Sequence, residues 1–528
     1  MAIGPAAAGR FRPSPLGLLA LLAGVVALLP LGGVVAAALA GPGADIAMRD
    51  ILRYAGTSAA LAVGVGVTTA IIGGLAAWLV ALHQFPGRRL FAWALALPLA
   101  MPAFALAYAY ADMWDVAGDL RIWMRGHMGF DLPLKMRSLP GAIFVLSCAF
   151  YPYVYLALKA AFLNPSVNMT EAARTLGQGP GAVFRRVTLP MVRPALAAGV
   201  ALAIMETLAD YGAVQFLSVQ TLTTGVIRAW SVYGSMAGAA QIALPLLGAA
   251  ALLLWIERTS RRGRAHEAAG ARWRTPAVVR LGGWRGWLAT AFCGLLLTLA
   301  LVAPIVWLVL GALETTPEWP RLIRAGAHSL GLGVAGAAVT VGLAGALALG
   351  GRDHPLASRF ASLGYATPGA VMAIGLLAPA GIIWSLLPGS GAAIALMLLI
   401  YAYAARLMAA ALEPIDAGLS RVTPAMRRAA RTLGRTQAGA AWSVEVPMIR
   451  GALLTALLIV FIDILKELPA TLILRPFNFD TLAVLASNYA LDERLGQAGP
   501  PSLLIILISV PATIWLTRRV ARSGPGLS

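Results

Sequence analysis

Four acidic side chains stand where few charges belong. Glu206 and Asp210 lie near the end of one apolar run, Asp463 and Glu467 near the end of another. Each pair is spaced i, i+4, so a helix places both of its carboxylates on one face. A charge at the bilayer centre costs about 2.5–3.5 kcal/mol on the insertion scale. Such acids therefore tend to face a cavity or the bundle interior, and they mark an ion path. The plainer reading puts the pairs at wet helix ends, with Lys466 neutralising Glu467. Carboxylate oxygens suit hard cations. Tyr108, Tyr110, Tyr151, Tyr153, Tyr155, Tyr401 and Tyr403 offer phenolic oxygens, although packing or an interfacial aromatic belt accounts for them better.

The elements that carry these acids follow from composition. The chain has 528 residues, 59% hydrophobic and 12% charged, against about 25% charged in a soluble domain. Its charges are gathered in short runs between long apolar segments. That pattern predicts an all-α polytopic membrane protein with about twelve transmembrane helices. The predicted spans lie near 16–40, 56–82, 90–111, 139–163, 191–217 and 236–256, then near 285–313, 327–350, 359–386, 391–412, 450–474 and 500–517. Arg10 and Arg12 precede a first apolar run too long for a secretory h-region, so it reads as an uncleaved span, although Ala38-Leu39-Ala40 resembles a cleavage site. The net charge of +19 comes almost wholly from Arg. With the N-terminus in the cytoplasm, most Lys and Arg fall on the cytoplasmic side, as does the C-terminus. This explains the basic balance by a lipid bilayer and not by nucleic acid. Cys148 and Cys293 sit inside apolar runs and imply no disulfide framework or metal–cysteine site. The histidines show no zinc-binding spacing. Lys135, Lys159 and Lys466 each follow Leu, so there is no P-loop.

The chain also repeats itself. Ala-Ala-Arg-Thr-Leu-Gly occurs at Ala172–Gly177 and again at Ala429–Gly434, 257 residues apart. Pro190 and Pro447 each stand thirteen residues beyond the glycine. The reading is a short helix, a glycine in the left-handed region closing it, and a second short helix opened by Pro180 in the first copy. At the same offset Glu206 matches Asp463, Asp210 matches Glu467 and Thr224 matches Thr481. Two parallel-repeat halves follow: residues 1–256 with six spans and the loop 171–190, and residues 284–528 with six spans and the loop 428–447. An Arg-rich cytoplasmic linker, 257–283, joins them.

The first loop resembles the EAA loop of binding-protein-dependent ABC import permeases, on Glu171, Ala172, Ala173, Gly177, Val187, Leu189 and Pro190. The second copy keeps Ala429, Ala430, Gly434 and Pro447, but Arg428 replaces the acid and Val446 the Leu. In that family the loop docks on the ATPase subunit. The stretches Met205–Trp230 and Lys466–Val484 look like the ferric-iron branch. The resemblance implies a pore subunit that is not itself an enzyme and binds no cofactor. ATP is hydrolysed on partner chains, two ABC ATPase subunits, and a periplasmic binding protein delivers cargo to the bacterial inner membrane. The path residues would then contact iron transiently, with no stable metal site. The alternatives are the same machinery carrying thiamine, a polyamine, an oxyanion or a phosphonate, or a twelve-span secondary transporter driven by an ion gradient. A membrane-embedded enzyme lacks a catalytic constellation.

Overall fold

The computed structural model describes residues 15–41, 47–115, 118–129, 134–163, 173, 175–261, 278–350, 364, 367–386 and 389–523. Arg10, Arg12, Glu171, Ala172, Arg174 and most of the expected linker lie outside the described residues. Within them the protein is all-α. The one β contact pairs His83–Gln84 in parallel with Val279–Arg280. Ten described helices are long and apolar enough to cross a membrane. Arg88–Ala100 and Ala103–Met113, bent by 92° at Met101-Pro102, make an eleventh if they form one span. Span 16–40 coincides with the helix Pro15–Leu39, whose part Gly24–Leu39 is a shorter apolar helix.

The helices sort their residues by face. On Met48–Leu82, Leu61, Val65, Thr69, Ala76 and Val80 are buried, whereas Val63, Val67, Ile71 and Leu75 are exposed at four-residue intervals. That outward stripe suits lipid, and the inward one lets helices approach closely. Thr69 returns its hydroxyl to the Val65 carbonyl (2.7 Å), so that buried hydroxyl is paired within its own helix. Thr340 does the same to Gly336 (2.6 Å) on Trp319–Gly350.

The repeat shows in the backbone. The short helix Pro180–Val183, the π-helical turn Phe184–Thr188 and the start of Leu189–Ala209 recur at Gln437–Ala440, Ala441–Glu445 and Val446–Leu465, each 257 residues on. Both long helices break at their acids. Predicted spans 191–217 and 450–474 are therefore not continuous: each ends at Ala209 or Leu465 and resumes as a short helix, Gly212–Phe216 or Pro469–Leu474. Beyond this break the register shifts. Thr221, not Thr224, is the structural counterpart of Thr481. Thr221 and Thr481 are the N-caps of Leu222–Ser231 and Leu482–Leu491. The backbone N–H of the first residue in each, Leu222 or Leu482, donates to a serine hydroxyl, Ser58 at 2.9 Å or Ser329 at 2.7 Å. A short helix longer by one residue, Pro469–Leu474 against Gly212–Phe216, and a connection longer by two, Arg475–Thr481 against Leu217–Thr221, account for the shift; that connection places Phe477 96% exposed.

The packing crosses between the sequence halves. Pro15–Leu39 packs against Gly369–Leu386, Trp319–Gly350 and Met236–Arg261. Ala303–Leu313 packs against Ala103–Met113 and Leu495–Ser523.

Candidate functional site

Glu206, Asp210, Asp463 and Glu467 all line one cavity. The first pair comes from the end of Leu189–Ala209 and the second from the end of Val446–Leu465. The bend at Met101-Pro102 supplies a third wall through Leu99, Met101, Pro102 and Phe104. Tyr153 and Tyr211 also line it. Of the other tyrosines, Tyr108, Tyr110, Tyr151, Tyr155 and Tyr403 are buried in the core. Tyr401 donates to the Val26 carbonyl (2.5 Å) and Tyr155 to the Ala92 carbonyl (3.0 Å), so they tie helices together.

The four acids are not equivalent. Asp210 Oδ1 accepts from the backbone N–H of Ala213 (3.0 Å) and Val214 (3.2 Å). Glu467 Oε1 accepts from Ala470 N–H (3.0 Å), and its Oε2 from Thr471 N–H (3.1 Å) and the Thr471 hydroxyl (2.8 Å). Both carboxylates thus satisfy the free N–H groups of the short helix that follows the break. The Tyr403 hydroxyl stands 2.6 Å from Thr471 Oγ1 and extends the network. Gly369 permits it, since a Cβ there would overlap Glu467 Oε1. The Glu467 side chain is 1% exposed, against 27% for Glu206 and 26% for Asp463. Glu206, Asp210 and Asp463 are half-buried, and Glu467 alone of the four is buried.

Two cations complete it. Arg406, on Gly391–Leu419, lies between Glu206 (3.7 Å) and Glu467 (3.4 Å). Lys466 pairs with Asp463 at 2.8 Å, not with Glu467, and donates to the Leu99 carbonyl (3.2 Å). Sequence reasoning passed over Arg406. Its only signal was an arginine inside an apolar run, which the span 391–412 contained. Among the described residues no three His, Cys, Asp or Glu side chains are grouped to hold a metal ion.

The two repeat loops lie apart from the cavity. Gly177 and Gly434 have φ of +78° and +81°. Gln178 N–H donates to the Ala173 carbonyl and Arg435 N–H to the Ala430 carbonyl, both at 3.1 Å, closing the same helix-ending motif. Beside the glycines, Leu176 and Leu433 are 80% and 82% exposed. Arg428 and Ala429 are exposed and Ala430 is buried. Leu189 and Pro190 open one long helix and Pro447 lies in the first turn of the other. Among the described residues, the second loop alone has a buried acid behind it: Glu445 stands 3.4 Å from Arg427.

Residues 69–266 match the family described as the binding-protein-dependent transport system inner membrane component. The chain is 24% identical over 449 residues to the Fe(3+)-transport system permease protein FbpB 2 of Haemophilus influenzae, covering 83% of this chain and 84% of that protein. It is 28% identical over 195 residues to the molybdenum transport system permease protein ModB of Escherichia coli, covering 35% of this chain and 84% of that one. Against the sulfate transport system permease protein CysW of Escherichia coli it is 34% identical over 148 residues, 28% of this chain and 50% of that one. Apolar helices, paired glycine-ended loops and these matches agree: the chain is similar to the permeases of binding-protein-dependent ABC importers, as a multi-pass membrane component of a transport system.

Proposed function

We propose that the chain is a fused permease that moves ferric iron from a periplasmic binding protein into the cytoplasm. The observation that carries the reading is one cavity lined by carboxylates from both long repeat helices. Oxygen donors suit a hard trivalent cation. The match to an Fe(3+)-transport permease along most of the chain supports the cargo. In this reading residues 1–256 and 284–528 are the two halves and 257–283 links them in the cytoplasm, where both termini lie. Two ATPase subunits dock on the loops 171–190 and 428–447 and bind the ATP. The permease carries no cofactor.

A second reading, an oxyanion cargo, draws on Arg406 and Lys466 in the cavity and on the molybdenum and sulfate relatives. Proteoliposomes holding the permease, its ATPase and its binding protein separate the two. ATP-dependent accumulation of iron without molybdate or sulfate is expected. Accumulation of an oxyanion without iron would overturn the ferric reading.

A further inference from the structure

The cavity is charge-asymmetric, and the repeat shows where. At the 257-residue offset, which also aligns the helix ends Phe162 and Leu419, Ala149 stands where Arg406 does and Ala209 where Lys466 does. All four line the cavity. The first repeat therefore offers two acids and no base, and the second offers two acids with two bases. Both bases lean across to the first repeat: Arg406 to Glu206, and Lys466 to the Leu99 carbonyl.

We propose that Arg406 is a tethered counter-cation, held where cargo must bind: its guanidinium occupies the cation position against Glu206, and a passing cation displaces it from that carboxylate. The geometry says which contact yields. Arg406 is nearer to Glu467 (3.4 Å) than to Glu206 (3.7 Å). Glu467 is also fixed by the Ala470 and Thr471 N–H groups, whereas Glu206 has the more exposed side chain. Arg406 thus keeps Glu467 and gives up Glu206. At equal distance a trivalent ion attracts a carboxylate about three times as strongly as a guanidinium does. A monovalent ion gains nothing by the exchange. Arg406 in this way selects for high charge and keeps Glu206 paired when the cavity is empty. Asp463 is already neutralised by Lys466 at 2.8 Å, so the accepting wall is the first repeat's. Arg406 is a positioning and specificity residue that acts through Glu206.

This inference rests on the cation-cargo reading, and the test keeps the two apart. The probe is terbium(III), a hard trivalent ion whose emission is sensitised by nearby tyrosine; Tyr153 and Tyr211 line the cavity. It is titrated into the full chain in nanodiscs, with uptake of iron measured in parallel in the reconstituted complex. Arg406→Ala, which copies Ala149, should tighten terbium binding by about tenfold or more. Arg406→Gln, which keeps hydrogen-bonding capacity and safeguards folding, should show the same gain. Arg406→Lys should stay near the parental affinity. Adding Glu206→Gln to Arg406→Ala should erase the gain, and Asp463→Asn should shift the parental affinity by less than about threefold. Iron transport with no gain in either neutral variant, or a gain that survives Glu206→Gln, overturns the role of Arg406 alone. Molybdate or sulfate binding that Arg406→Ala abolishes overturns it together with the ferric cargo.

Discussion

Glu467 and Glu206 look alike in the sequence and differ in what they hold. Glu467 caps a short helix and faces a half-buried cation, so Glu467→Ala strands two N–H groups and weakens the hold on Arg406. The expected loss is about 2–4 kcal/mol. Glu206→Ala removes one long, partly exposed ion pair and should cost about 1 kcal/mol or less. Thermal unfolding of the two variants in one detergent checks this, and equal losses would remove the distinction between cap and cavity acid. The i, i+4 spacing made the pairs legible as acids on a common face. It could not reveal that the second acid of each pair turns back onto its own backbone. Just beyond the break at Asp210, Gly212 fits against Phe104 and Leu468 with no room for a Cβ. Lys466 was misassigned as well. Adjacency in sequence suggested Glu467, but the break swings its amine to Asp463, one turn back.

At the scale of elements, the two repeat loops were legible to single residues, because their signals are local. A Gly after an Ala-Ala-Arg-Thr-Leu helix announces a left-handed residue, and both glycines have one. The positive φ, not crowding, is what Gly serves, since a Cβ at either position would meet open space. Substitution there costs about 1–2 kcal/mol of local backbone strain. Gly177→Asp or Gly434→Asp should therefore leave the membrane helices intact and disturb only the loop surface that Leu176 or Leu433 presents. The expected outcome is normal insertion, with uptake and co-purification of the ATPase lost. A double variant that still co-purifies its ATPase would place the docking surface elsewhere. The loops should also differ from each other. Arg427–Glu445 anchors the second, and Thr170 and Thr188 stand at the matching positions of the first. Glu445→Gln should loosen the second loop only, which hydrogen exchange of the two loops would read. The three-residue shift past Leu217 escaped the sequence comparison, because Thr224 aligned by offset while Thr221 aligned by capping.

The whole molecule is held together by contacts that no periodicity predicts. Pro15–Leu39 crosses Gly369–Leu386 with backbones touching: a Cβ on Gly33 would overlap the Gly375 carbonyl oxygen, and one on Gly375 the Pro30 carbonyl oxygen. Such crossings depend on small residues on both sides. Gly375→Ala should therefore cost about 1–3 kcal/mol, seen as a lower midpoint of thermal unfolding, whereas Gly381→Ala, where a Cβ meets nothing, should not. Both glycines sit in one apolar helix, so sequence could not rank them.

The remaining expectation is orientation, which rests on the distribution of Lys and Arg. Single cysteines test it at exposed positions of both repeats. Ser420, beyond the end of Gly391–Leu419, is exposed on the side of the second loop. Ser218 and Asn478 are exposed in the matching connections past the acids, both with φ of +60°. A charged thiol reagent should label Ser218→Cys and Asn478→Cys in intact spheroplasts. It should reach Ser420→Cys only after the inner membrane is opened. Cys148 and Cys293 are buried, so the parental background should stay unlabelled. Reversal at all three positions would invert the topology and put the glycine-ended loops out of reach of any ATPase. Disagreement between Ser218 and Asn478 would instead break the parallel relation of the repeats and, with it, the shared cavity wall on which the transport reading depends.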